Sequence, residues 1–293
     1  MQSPINTQIN KDLYRKIVAI EKHLQSDVIF LYGFLGSGLP KELDELILEL
    51  KKDNKGYDRL CIVLTTPGGS ANEVERCVNV IRNYYNEIDF IVPDYAYSAG
   101  TIFCMSGDNI YMNYYSVLGP IDPQVMNKDG HWVAALGYLD KVNDMIEKSK
   151  NNELSPAEFL IMKDLDLGEL REYEQAKDLT VDLLKKWLVT YKFKSWTEHK
   201  TNPDKIGKPV TFEEKEERAT DIAEQLSDNN RWKAHGRPIN MDILRDELRL
   251  VINDFSDDSK LEHDILIYYT YIMDYIMKMG SPYCFHTRRR TIA

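Results

Sequence analysis

Two short turns hold the residues best suited to chemistry. The first is Thr66-Pro67-Gly68-Gly69-Ser70, which follows an apolar run and precedes a helical pattern. A Gly-Gly pair lets a backbone approach a ligand closely and present N–H groups. At the start of a helix such groups can hold an anion, because the helix N-terminus is electropositive. Three readings fit this turn alone: an oxyanion hole, a phosphate cradle, or a tight turn that needs positive φ. The second turn is Tyr97-Ser98-Ala99-Gly100-Thr101. A serine among small neighbours, between an apolar segment and a helix, could be a nucleophile on a sharp turn or a helix cap. It departs from the G-x-S-x-G elbow, since Ala96 stands where the first glycine would be.

Other candidates are weaker. Gly33-Phe34-Leu35-Gly36-Ser37-Gly38 lacks the Lys-Ser/Thr of a phosphate loop and reads as a strand-to-helix loop. His235 lies in Trp232-Lys233-Ala234-His235-Gly236-Arg237 and reads as a structural histidine bonded to a backbone carbonyl. The remaining histidines, His23, His131, His199, His263 and His286, show no ligand spacing, so no metal site is expected. Arg288-Arg289-Arg290 reads as a solvated end.

The elements that must position the turns follow from periodicity. Asp27 to Tyr32, Leu60 to Leu64, Phe90 to Val92 and Asn109 to Met112 read as strands. Pro40 to Lys52 and Ala71 to Asn86 read as helices with inward stripes, and a further helix starts at Thr101 to Ser106. Strands alternating with helices imply an α/β fold with a mostly parallel sheet, and ligands collect at the C-terminal edge of such sheets. From Leu136 on the pattern is helical. Helices are expected over Tyr138 to Lys150, Ser155 to Leu188 (one, or two broken near Gly168), Thr211 to Asp228, Met241 to Leu248 and Leu261 to Met279. Trp196 to Pro209 reads as a linker or surface loop, and no internal repeat is visible. The chain therefore divides into an α/β core over 1–195 and a helical C-terminal region over 196–293.

Composition narrows the function. Among 293 residues, 43% are hydrophobic and the formal net charge is −10, which argues against a binder of nucleic acid. No run suits a membrane span and no signal peptide is visible, so a cytoplasmic protein is expected. Cys61, Cys77, Cys104 and Cys284 form no C-x-x-C pair and read as buried thiols in a reducing compartment.

Taken in order, the motifs resemble the serine dehydrogenase proteinase family. This group is related to the Clp protease proteolytic subunit and to signal peptide peptidase A. The likeness is strongest over Arg59 to Gln124, in LCIVLTTPGGSANEVERCVNVIRN, YSAGTIFCMSGDNIYM and VLGPIDPQ, and continues through EEKEERATDIAEQLSDNNRWKAHGRPI. The resemblance implies a Clp/crotonase-like fold and a soluble serine peptidase that cleaves peptides or unfolded protein segments through an acyl-enzyme at Ser98. It gives Gly69 and Ala99 as oxyanion donors, with Gly68 shaping the turn and standing as a further oxyanion-hole donor. For the base it implies Lys141, by analogy with a Ser-Lys pair, with Lys163 and His235 as further choices. Asp122 stands where the Clp protease has its histidine. No cofactor is implied. A homo-oligomer is implied, and the stripe Ile265, Tyr268, Tyr269, Ile272, Tyr275 and Ile276 suits packing on a neighbour, the alternative being packing inside its own subunit. The competing readings are a catalytically silent scaffold or ligand-binding protein on the same fold, and a crotonase-type acyl-CoA enzyme.

Overall fold

A computed structural model describes residues 4–52, 56–126, 132–200 and 204–293. His131 lies outside the described residues. The N-terminal half contains α1 (Pro4–Leu24), β1 (Asp27–Tyr32), α2 (Leu39–Lys51), β2 (Arg59–Thr65), α3 (Ala71–Tyr84), β3 (Glu87–Ile91), β4 (Tyr95–Ala96), α4 (Ala99–Met105), β5 (Asn109–Met112) and β6 (Val117–Leu118). A hairpin of β7 (Gln124–Met126) and β8 (Trp132–Ala134) leads to α5 (Ala135–Lys150), α6 (Pro156–Lys163) and α7 (Leu167–Trp187). The remainder holds α8 (Phe212–Ser227), α9 (Asn229–Trp232), β9 (Ile239–Asn240), β10 (Asn253–Asp254), α10 (Ser259–Met279), β11 (Cys284–His286) and β12 (Thr291–Ile292).

The central sheet has the order β10-β5-β3-β2-β1-β11-β12. The five strands from β10 to β1 pair in parallel, and β11 and β12 close one edge antiparallel. Alternate side chains of each central strand feed two cores, as a sheet covered on both faces requires. Leu60, Ile62 and Leu64 face α2, α3, α7 and α8. Cys61, Val63 and Phe30 face α1 and α10. A second sheet, β4-β6-β9, stands beside the first and carries the segment leading to Ser98.

Several expectations change here. The apolar stripe of α10 is not free for a neighbour: Ile265, Tyr268, Ile272 and Ile276 are buried against α1 and the sheet, with Tyr269 and Tyr275 partly buried on the same core. The basic tail is not a solvated end. Arg288 bonds Glu21 at 2.6 Å and Asp27 at 2.7 Å, two buried carboxylates, while Arg290 faces Glu42, Glu45 and Glu49 on α2. The region after residue 195 is not purely helical: β9 to β12 enter both sheets, and the α8 side chains join the first core. Of the two readings given for Ser155 to Leu188 the broken one holds: α6 and α7 are separated at Asp164–Asp166, with Asp166 capping the second. All four cysteines are buried and unpaired.

Candidate active site

The two turns meet at the C-terminal edge of the parallel sheet. Thr66, the residue after β2, bridges to Ala96 at the end of β4: its N–H donates to Tyr95 O at 3.1 Å and its carbonyl accepts from Tyr97 N–H at 3.0 Å. The Thr66 hydroxyl then accepts from Gly68 N–H at 3.0 Å, which folds the chain back toward Ser98. On the other side, Leu35 N–H donates to Gly68 O and Leu35 O accepts from Ser70 N–H, both at 2.9 Å. The Pro-Gly-Gly turn is thus held between the loop after β1 and the Ser98 turn.

Gly68 adopts φ +113°, and a Cβ there would lie 2.9 Å from Ser98 Cβ, 3.0 Å from Tyr97 O and 3.5 Å from Ala99 N. Only a glycine permits both that backbone and that approach. Because Gly68 N–H is engaged by Thr66, Gly68 shapes the turn and has no free proton for an oxyanion. The N–H groups of Gly69 and Ala99 have no acceptor among the described residues. Ser70 caps α3 by accepting from Glu73 N–H, so the positive end of a 14-residue helix lies next to Gly69.

Ser98 itself is strained. Its φ is 53° and ψ −118°, outside the regions ordinary for a residue with a Cβ. Such a conformation costs about 1–3 kcal/mol and persists only where the surroundings enforce it. The side chain forms no cap bond with α4, so the helix-cap reading does not hold. Ser98 is partly exposed, whereas every residue of α4 behind it is buried. Thr101 Oγ1 lies 2.8 Å from Gly119 O and 2.9 Å from Ala96 O, and accepts from Gly119 N–H at 3.0 Å. That hydroxyl ties α4, β4 and the Gly119-Pro120 turn into one rigid block. Tyr97 stacks on Tyr95 beside the serine. Burial, with Asp94 and Tyr115 nearby, raises the Tyr97 phenol pKa and keeps it a hydrogen-bond donor.

The residue pattern matches a family model described as ClpP-like SDH-type serine proteinase over residues 44–229. The chain belongs to this family. The match takes in both turns, the Gly119 turn and α8. Two uncharacterized proteins of Methanocaldococcus jannaschii, MJ1495 and MJ0137, are each 29% identical, over 127 and 128 residues. Each match takes in 41% of this chain, and the chain spans less than half the length of either relative (43% and 44%). Two solved structures of a membrane-bound stomatin-specific protease, 1510-N, are also similar. The first has TM-score 0.46 and 14% identity, covering 81% of both chains. The second, in complex with a substrate peptide, has TM-score 0.44 and 16% identity, covering 80% of this chain and 78% of the other. No helix among the described residues of this SDH-type proteinase is long and apolar enough to cross a membrane.

The bases suggested by sequence separate in this fold. Lys141 stands on α5 with its side chain 62% exposed and its amine 3.0 Å from Asp144; no hydrogen bond joins it to Ser98. A Ser-Lys pair calls for a desolvated amine. Lys163 is exposed at the end of α6. His235 was expected to bond a backbone carbonyl, but its Nδ1 instead meets the carboxylate of Asp122 at 2.9 Å. That partnership spans 113 positions, and no local pattern announces it. The one sequence signal was Asp122 itself, standing where the Clp protease has a histidine.

Proposed function

We propose that this proteinase hydrolyses peptides or unfolded protein segments through an acyl-enzyme at Ser98. The observation that carries the reading is the strained, uncapped Ser98 packed against Gly68, with unengaged N–H groups at Gly69 and Ala99 on the two joined turns. Ser98 Oγ attacks the scissile carbonyl, and the carbonyl oxygen turns toward the two N–H donors as it gains charge. Each donor is typically worth about 10²–10³ in rate. Phe34, Tyr114 and Tyr115 are exposed aromatics on the loops of this edge and suit an extended, partly apolar chain as substrate.

The same reading has the protein act as a cytoplasmic homo-oligomer. Four unpaired thiols fit a reducing setting. Since the α10 stripe is used internally, a face open to a neighbour is α6, where Phe159, Leu160 and Ile161 are exposed and no residue is buried. A monomer by light scattering at micromolar concentration would remove the oligomer from the reading.

A fluorophosphonate probe tests the nucleophile. Wild type should label covalently, and Ser98→Ala should not, with its melting temperature unchanged or raised. A folded wild-type protein that never labels would favour the silent scaffold.

A further inference from the structure

Just before the nucleophile turn stands a carboxylate that the acyl-enzyme chemistry does not use. Asp94 precedes β4, the strand that leads to Ser98. Its backbone is pinned, because its carbonyl accepts from Val117 N–H on β6 at 2.8 Å. Its side chain is half-buried. Oδ2 accepts from the Tyr269 hydroxyl at 3.2 Å, and that hydroxyl oxygen accepts in turn from Thr65 Oγ1 at 3.3 Å. Tyr269 belongs to α10 and Thr65 ends β2, so three elements together hold the carboxylate in place.

What this carboxylate lacks is a cation. Glu21, Asp27, Asp89 and Asp108, buried or half-buried, each hold an arginine. Among the described residues no basic side chain pairs with Asp94, and Oδ1 has no hydrogen-bond partner. Burial raises the Asp94 pKa, and the Tyr269 hydrogen bond opposes that rise only in part. A cation brought to Oδ1 would relieve the penalty. The surroundings suit one. Tyr95 and Tyr97 stack with ring centroids 5.5 Å apart, and Tyr32 and Tyr269 stand half-buried beside them. Burial raises the pKa of the Tyr95, Tyr97 and Tyr269 phenols, and the negative charge of Asp94 raises each further. The phenols therefore stay neutral and offer electron-rich ring faces to a cation.

We propose that Asp94, with Tyr95, Tyr97 and Tyr269, forms a specificity subsite that receives a lysine or arginine side chain of the substrate. The proposal rests on Ser98 being the nucleophile. Four residues of chain separate Asp94 from Ser98, at most about 14 Å when extended. A substrate residue within three positions of the scissile bond therefore reaches the carboxylate through the long stem of lysine or arginine. Its ammonium or guanidinium donates to Oδ1 while the tyrosine rings flank the stem and the charge. A neutral side chain of the same length gains no such bond, and an acidic one is repelled. The net charge of −10 also draws basic segments toward the protein.

Digestion of unfolded casein, with every cut mapped by mass spectrometry, tests this. Ser98→Ala supplies the blank, and an alkyl fluorophosphonate reports on Ser98 separately. In wild type, lysine and arginine should be enriched about 10-fold at one position within three residues of the cut. Asp94→Asn, which keeps the size and an oxygen for the Tyr269 hydroxyl, should remove most of that enrichment. Asp94→Lys should replace it with an enrichment of aspartate and glutamate, a reversal that a merely structural defect would not produce. Melting curves show which variants are folded, and where Asp94→Lys is not, Asp94→Asn carries the test. Cuts without basic enrichment in wild type overturn the subsite and leave the nucleophile standing. So does an enrichment that survives in Asp94→Asn. Labelling without any cut overturns the substrate class and the subsite but not the nucleophile. A wild type that neither cuts nor labels overturns the reading of Ser98 and the subsite with it.

Discussion

Gly68→Ala separates backbone strain from displacement of the nucleophile. An added Cβ would sit 2.9 Å from Ser98 Cβ and 3.0 Å from Tyr97 O. Carbon atoms pack at about 3.5–4.0 Å, so the Ser98 turn must move by roughly 0.5–1 Å. A φ of +113° adds about 1–3 kcal/mol of strain. If the turn flips to escape it, the bonds from Gly68 N–H to Thr66 and from Leu35 N–H to Gly68 O are lost as well, at about 1 kcal/mol each. By either route the expected loss of stability is about 1–3 kcal/mol. A displacement near 1 Å at reacting atoms costs about 10²-fold in rate. Gly38→Ala is the control. Its φ is +94°, yet nothing lies within 4 Å of the added Cβ, so it should lose stability and keep its labelling rate. Denaturant unfolding and fluorophosphonate kinetics on both variants decide the matter. Gly68→Ala labelling at the wild-type rate would refute the contact between the turns as a determinant of catalysis.

Arg288→Met should cost about 3–5 kcal/mol at neutral pH, because it strands the buried carboxylates Glu21 and Asp27 without their cation. Burial already raises the Glu21 pKa and Arg288 opposes that rise; removing the cation raises it further, so the loss should shrink as pH falls and Glu21 takes up a proton. Equal losses at pH 7 and pH 5 in urea unfolding would contradict this. Burial lowers the Lys192 pKa from 10.5 to about 8. The unfolded chain then holds the extra proton between those values, so stability rises with pH through this window and is lost as pH falls through 8. Against Lys192→Met, wild type should gain about 2–4 kcal/mol from pH 8 to 10.5, and a flat difference curve would exclude it.

The parallel core was legible because its strands are continuous apolar runs bounded by glycine turns, and because Val74, Cys77, Val78 and Ile81 repeat at helical spacing. The Ser98 turn was legible through its small residues, although its strain was not. Helix α1 escaped notice. Leu13, Ile17 and Ile20 mark its buried face, but they are diluted by polar neighbours on a surface helix. That omission explains the misplaced α10 stripe: the helix was recognised, but its partner, α1, was not. Strands β4, β6 and β9 are two residues each, too short to show alternation, and they are the ones that bring His235 to Asp122. The half-buried Arg288 was unreadable for a similar reason, since the carboxylates that hold it lie at the other end of the sequence.

The antiparallel closure of β1 by β11 has a consequence for how the molecule is made. Phe30 pairs with His286, so about 250 residues must be synthesised before that edge of β1 finds its partner. At 5–20 residues per second this takes roughly 10–50 s. During that interval the strand DVIFLY offers open N–H and C=O groups to any other extended chain. A nascent polypeptide in this state is a natural client for a chaperone, and shortening the gene before codon 284 should yield inclusion bodies rather than a smaller proteinase.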